Sequence, residues 1–250
     1  MVRLMSGPRT PLLKPRKYFE SKTPPLDFGR ALVAVAVVTV VITAGVGGIL
    51  WTFTQQLDQQ VSVDNPEHYP EHACEQYEPG GAFDDMEAPS GCDPSVPETL
   101  DKRLGDLIWQ EYSWIPLAML VFVPLVWLFE GSLLHLGSWL VGGDGRFTDS
   151  LVVSGWGMVP MVFRVLTVGT FVVYQLKQVS IPSNPEGALN AMQASFSGLG
   201  LVSTVAMLVV VAWGTYIRTY GLARARDIDI GSAASVTVGL SLIGLLLELI

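Results

Sequence analysis

Five long apolar runs organise this chain, separated by three short polar stretches and one long one. The first covers residues 31–54, ALVAVAVVTVVITAGVGGILWTFT. As a helix it is about 36 Å long, enough to cross a bilayer with some tilt. Its Val and Thr content suits a strand, but strands of such length are rare, so length decides for a helix. Trp51 and Phe53 fall near its end, where aromatic rings favour the membrane interface. The second run, 113–141, carries Pro116, Pro124, Glu130 and His135. Prolines are tolerated in a span where neighbouring helices cover the freed carbonyls. The third, 151–176, holds Gly155, Gly157, Pro160 and Arg164. The fourth covers about 196–217, and the fifth begins near Ser232 and reaches the terminus. The pattern predicts an all-α integral membrane protein with five transmembrane helices.

The polar stretches differ in kind. Residues 1–30 form a basic tail, with Arg3, Arg9, Lys14, Arg16, Lys17, Lys22 and Arg30 against Glu20 and Asp27. Its LLKPRKYFE segment mixes Leu12, Leu13, Tyr18 and Phe19 with Lys14, Arg16 and Lys17. That mixture suits an interfacial segment on an anionic membrane surface, and equally a plain positive-inside tail. Residues 55–112 are rich in Pro, Gly and acid, show no sustained period, and read as an irregular loop. At its end, Leu100, Leu104, Leu107 and Ile108 are spaced for one face of a short helix. Residues 142–150, GGDGRFTDS, form a tight turn. In the loop 177–195, Ser183 or Asn184 caps a helix start, with Pro185 and Glu186 in its first turn. Residues 218–231 read as a basic-to-mixed loop.

Charge sharpens this picture. Only 15% of residues are charged, against roughly 25% in soluble domains. The net charge of -8 is local: residues 55–111 carry fourteen acids and two basic residues, Lys102 and Arg103. No cleavable signal peptide is evident, and the first apolar run reads as an uncleaved span. With the N-terminus cytoplasmic, the inner segments hold eleven basic residues: seven in the tail, Arg146, Arg218, Arg224 and Arg226. The outer segments hold three, Lys102, Arg103 and Lys177. The positive-inside rule therefore puts the N-terminus in the cytoplasm and the C-terminus and acidic loop outside a cell membrane.

An outward loop gives Cys74 and Cys92 a meaning. Outside the cytoplasm, two cysteines 18 positions apart suit a disulfide. The competing readings are a metal site of His68, His72, Cys74 and Cys92, and free thiols; the spacing matches no strong metal signature. The carboxylates follow no EF-hand pattern and read as a solvated face suited to a salty medium.

GGDGRF at 142–147 is a glycine-containing turn between two spans, with Trp156, Gly157 and Pro160 in the segment that follows. Both resemble the corresponding pieces of the Yip1 family, haloarchaeal type. VAWGTYIRTYGLARARDIDIGSA at 211–233 resembles its fourth helix, the next turn and the start of the fifth, with Ala223 inserted between Leu222 and Arg224. LLKPRKYF resembles the Pro-plus-aromatic segment before the first helix in prokaryotic members. The resemblance covers roughly residues 12–250 without the long acidic loop. It implies a Yip1-like membrane domain over 31–250, with the loop 55–112 inserted between spans one and two. Eukaryotic relatives are linked to vesicle traffic and bind small GTPases, so the resemblance carries topology further than biochemistry.

Ionisable groups inside spans are the usual pointers to function. Glu130 lies roughly 16 Å from the inner end of its span, His135 nearer the surface, and Arg164 roughly 21 Å deep. A short turn makes spans two and three antiparallel, within reach for a Glu130–Arg164 pair. Such a pair fixes helix register; alternatively, Glu130, His135 and Arg164 form a polar centre for a proton, ion or small solute. No HExxH, phosphate-binding glycine loop or GxSxG is present, no cofactor or resident metal is implied, and no basic soluble domain suits nucleic acid. The expectation is a non-enzymatic membrane scaffold or interaction protein. Its partners are membrane lipids and either a second copy or another protein of the membrane or cytoplasm. Transport through the polar centre is the alternative.

Overall fold

The computed structural model describes residues 8–178, 187, 190, 193 and 197–249. The expected helix start at Ser183, Asn184, Pro185 and Glu186 lies outside the described residues. In chain order the helices are α1 (Pro15–Glu20), α2 (Phe28–Gln55), α3 (Glu71–Cys74), α4 (Leu104–Tyr112), α5 (Trp114–Leu140), α6 (Phe147–Met158), α7 (Met161–Gln178), α8 (Leu199–Ala225) and α9 (Ile230–Leu249). There are also two short 3-10 turns, Glu75–Tyr77 and Ser90–Cys92, and two strands, β1 (Gln60–Asp64) and β2 (Thr99–Arg103). Among the described residues, five helical stretches are long and apolar enough to cross a membrane: Phe28–Gln55, Leu104–Leu140, Phe147–Gln178, Leu199–Ala225 and Ile230–Leu247. The chain divides into two compact units, Trp51–Tyr112 and the remainder.

The larger unit is built around α6, in which every residue from Asp149 to Met158 is buried. Helices α5 and α8 pack on it, α9 packs on α8 and α5, and α7 packs on α8. The core joins Leu134, Val152, Val153, Ile217 and Leu222. Large apolar side chains face outward instead: Leu117, Phe129, Leu201 and Leu246 are each more than half exposed. Water penalises such a surface, and hydrocarbon chains do not.

Three expected boundaries move. The tight turn ends at Arg146, and Phe147 already starts α6. Asp149, expected in that turn, sits in the first helical turn, where the helix dipole favours an acid. The third span is two helices rather than one. Pro160 has no N–H to return to the preceding turn, and Val159 instead donates to the Trp156 carbonyl. Finally α8 runs on to Ala225, so Arg218 and Arg224 are helical rather than loop residues. Thr219, Gly221, Leu222 and Ala225 face the core there, and that burial extends the helix past its first charge.

The basic tail is also not a loose surface segment. Tyr18 and Phe19 are 3% and 1% exposed, and α1 packs against α8. Leu13 remains exposed. Trp213 donates its indole N–H to the Leu12 carbonyl at 2.7 Å, and Arg224 donates to the Lys22 carbonyl at 2.9 Å.

The smaller unit corrects the reading of 55–112 as irregular loop. Strands β1 and β2 pair antiparallel, from Gln60 opposite Arg103 to Asp64 opposite Thr99. Leu100 therefore belongs to a strand opposite Val63, not to the helical face expected with Leu104. Pairing across a long connection overrides the local helical spacing. Asn65 closes the strand end, donating its side-chain amide to Pro97 and its backbone N–H to Glu98. Arg103 pairs with Asp58 at 2.5 Å.

Cys74 and Cys92 are joined by a disulfide, which removes the metal and free-thiol readings of these sulfurs. Cross-linking positions 18 apart restricts the unfolded chain by about 3 kcal/mol. Replacing both residues, Cys74→Ser with Cys92→Ser, is expected to make residues 65–98 rapidly cleavable by added protease while the spanning helices stay intact. Cleavage no faster than in the native chain would show that the strand pair alone orders this segment.

Candidate functional site

Glu130 lies on α5 and forms an ion pair with Arg218 of α8. The pair expected from the sequence was Glu130 with Arg164. Arg164 lies beyond the Pro160 break, on α7, which packs on α8 and whose Val162 reaches the cluster of Val123 and Trp127 on α5. Arg218, counted from sequence as a loop charge, is the residue missed. Its side chain is 17% exposed and that of Glu130 22%. Arg218 Nε faces a Glu130 carboxylate oxygen as a charge pair, without the alignment of a hydrogen bond.

Small residues make room for this arginine. A Cβ on Gly157 of α6 would stand 2.5 Å from Arg218 Nε, and one on Gly214 would stand 2.7 Å from Arg218 Nη1. The glycines let the guanidinium cross between helices toward Glu130. A cavity of about 300 Å³ adjoins the pair, lined by Phe129, Leu133, Val211 and Ser241 among others. Beside it, hydroxyls link α8 to α9: Thr219 bonds Thr237 at 2.7 Å, and Thr215 bonds Ser241 at 2.6 Å. Polar side chains inside a membrane bundle hold helices together in this way.

A second polar cluster lies at the α5–α6 turn. Arg226, directly after α8, is 2% exposed. Its guanidinium donates to Ser138 Oγ at 2.9 Å, the Gly145 carbonyl at 2.5 Å and the Gly143 carbonyl at 2.9 Å. Asp144 returns a backbone N–H to the Arg226 carbonyl at 2.9 Å. The turn can bend around the guanidinium because Gly142 and Gly145 adopt φ of 85° and 125°. Burial pushes the Arg226 pKa down, while Asp144 and Asp149 oppose the shift.

His135 belongs to this end, not to the Glu130 pair. Its Nδ1 lies 3.3 Å from Ser150 Oγ, and its ring meets Phe147 edge-on. Asp149, 1% exposed, accepts the Leu26 backbone N–H at 2.6 Å and so ties the segment before α2 to α6. Of the residues of the expected polar centre, then, Glu130 pairs with Arg218, His135 meets Ser150 and Phe147, and Arg164 lies on α7. Cys74 and Cys92 lie in the smaller unit. Among the described residues, no group of three or more His, Cys, Asp or Glu is placed to hold a metal ion.

Two variants test these ties. Arg226→Lys has one point-like donor group where three directed bonds are needed, and is expected to cost about 3 kcal/mol of stability. Thermal unfolding in detergent would measure it; an unchanged midpoint would show that the turn holds its shape without the fork. For the ion pair, Glu130→Gln is expected to lower the midpoint more than the double change Glu130→Gln with Arg218→Met. Only the single variant strands a charge in the bundle.

The sequence model of one family, described as Yip1 domain, matches residues 10–249. No curated protein and no solved structure matches the chain.

Proposed function

This chain belongs to the Yip1 domain family, and on that footing we propose that it is a multi-pass membrane scaffold or interaction protein. The observation that carries this reading is how the charges within and beside the helices are used. Glu130 and Arg218 neutralise one another, and Arg226 spends its donors on a turn. Asp149 holds a backbone N–H. These groups fix helices in place instead of presenting a reacting constellation, so the reading assigns no enzymatic activity. Its recognition surfaces are the exposed apolar faces of the spans and the acidic segment 55–111.

The same reading places the N-terminus in the cytoplasm and the acidic unit outside the cell membrane. The basic tail and Arg146 support this orientation, although Arg218 and Arg224 have left the loop count for a helix. An acid-rich outer unit suits a salty medium of the kind haloarchaea occupy. A membrane-impermeant thiol reagent on intact cells is expected to label Asp85→Cys and to leave Lys14→Cys unlabelled until the cells are opened. The reverse pattern would invert the proposed topology.

Crosslinking and pull-down from native membranes test the scaffold reading itself. A specific partner, or a second copy of the chain, is expected with both the native protein and a Glu130→Gln, Arg218→Met variant. The cavity beside Glu130 and Arg218 favours one other reading, passage of a proton, ion or small solute. Ion or solute flux in liposomes that the double variant abolishes, together with no reproducible partner, would decide for transport.

A further inference from the structure

A groove of about 530 Å³ follows α2, lined in part by Arg9, Arg30, Val33, Val37, Trp156 and Val159. Its two cationic residues and its apolar stripe are arranged by the helix itself. Arg30, Val33 and Val37 are three and four residues apart, so they lie on one face over about 10 Å. Val33 and Val37 are 64% and 54% exposed on a helix long and apolar enough to span. The occupant must therefore be at home in hydrocarbon along most of its length. At the Arg30 end it must tolerate positive charge. Asp27 pairs with Arg30 at 3.1 Å, but Arg9 has no acidic partner among the described residues, so the charges lining this end sum to a cation.

Trp156 and Val159 add apolar surface to the same groove. An occupant with an anion at one end and a hydrocarbon chain beyond it meets both conditions in order.

We propose that this groove binds one phospholipid with an anionic headgroup, its phosphate at Arg9 and Arg30 and its chain along Val33 and Val37. Selectivity comes from the unbalanced positive charge: a zwitterionic headgroup brings an ammonium, and among the described residues lining the groove there is no carboxylate to receive it, while Asp27 beside it is held by Arg30. This inference does not depend on the scaffold reading, because a transporter would carry the same site.

Native mass spectrometry of the full chain in detergent tests it, with phosphatidylglycerol and phosphatidylcholine of identical chains added in turn. The unaltered protein is expected to retain phosphatidylglycerol about tenfold more than phosphatidylcholine. Arg9→Gln with Arg30→Gln should remove the preference, while Lys14→Gln with Lys17→Gln, equal in charge and also on the tail, should keep it. Val33→Trp fills the groove without touching a charge and should lower retention of phosphatidylglycerol. That variant decides the matter if the arginine variant fails to fold. Equal retention of the two lipids, equal loss in both charge variants, or unaltered binding in Val33→Trp would overturn the proposal. So would displacement of phosphatidylglycerol by inorganic phosphate alone, which marks a free-anion site.

Discussion

A buried guanidinium at a helix end sets the geometry of one end of the larger unit. Arg226 donates to two carbonyls of the turn between α5 and α6 and to the Ser138 hydroxyl of α5. The turn must therefore lie over the end of α8, which puts α6 in the middle of the bundle. Leu26 then meets Asp149 in the first turn of α6, and the chain entering α2 is anchored as well. An arginine held by carbonyls keeps its positive charge and satisfies acceptors that the turn would otherwise leave without donors.

The same two helices are tied again by the ion pair. Glu130 and Ser138 lie eight residues apart on α5, and their partners Arg218 and Arg226 lie eight apart along the chain of α8 and its cap. Equal spacing in the same chain direction means that α5 and α8 run parallel and in register. That relation fits alternate spans of an up-and-down bundle. Each tie is made by a long arginine side chain, which can reach past α6 where glycine leaves space, as it does at Gly157. Breaking one tie leaves the second to hold register, so function that needs only the overall bundle should outlast function that needs the polar interior.

Much of this architecture was legible in the residues. Length and hydropathy located the five spans, because a bilayer imposes one dimension on every crossing segment. The family resemblance rested on GGDGRF and the 211–233 segment as separate marks; in space they are one feature, since Gly143 and Gly145 meet Arg226. Val61 and Val63 did alternate with polar neighbours in β1, but five residues among prolines and acids make too short a period to outweigh the loop signals around them. Pro160 breaks the third span while Pro124 sits inside an unbroken α5, a difference that the residues by themselves do not carry.

By itself, the sequence determined what depends on neighbours along the chain: which segments are apolar enough to span, where charge collects, and that two cysteines stood within a compact loop. The tertiary structure alone decided which charge meets which. Glu130 and Arg164 are closer in sequence than Glu130 and Arg218, and the short α5–α6 turn favoured the nearer pair. Arg218 reaches Glu130 through helix packing, at glycines that admit its side chain, and periodicity along one helix contains no information about that choice. The docking of Tyr18 and Phe19 was hidden for the same reason. An aromatic beside cations fits a membrane surface and a buried core equally well until the opposing face, here on α8, is in place.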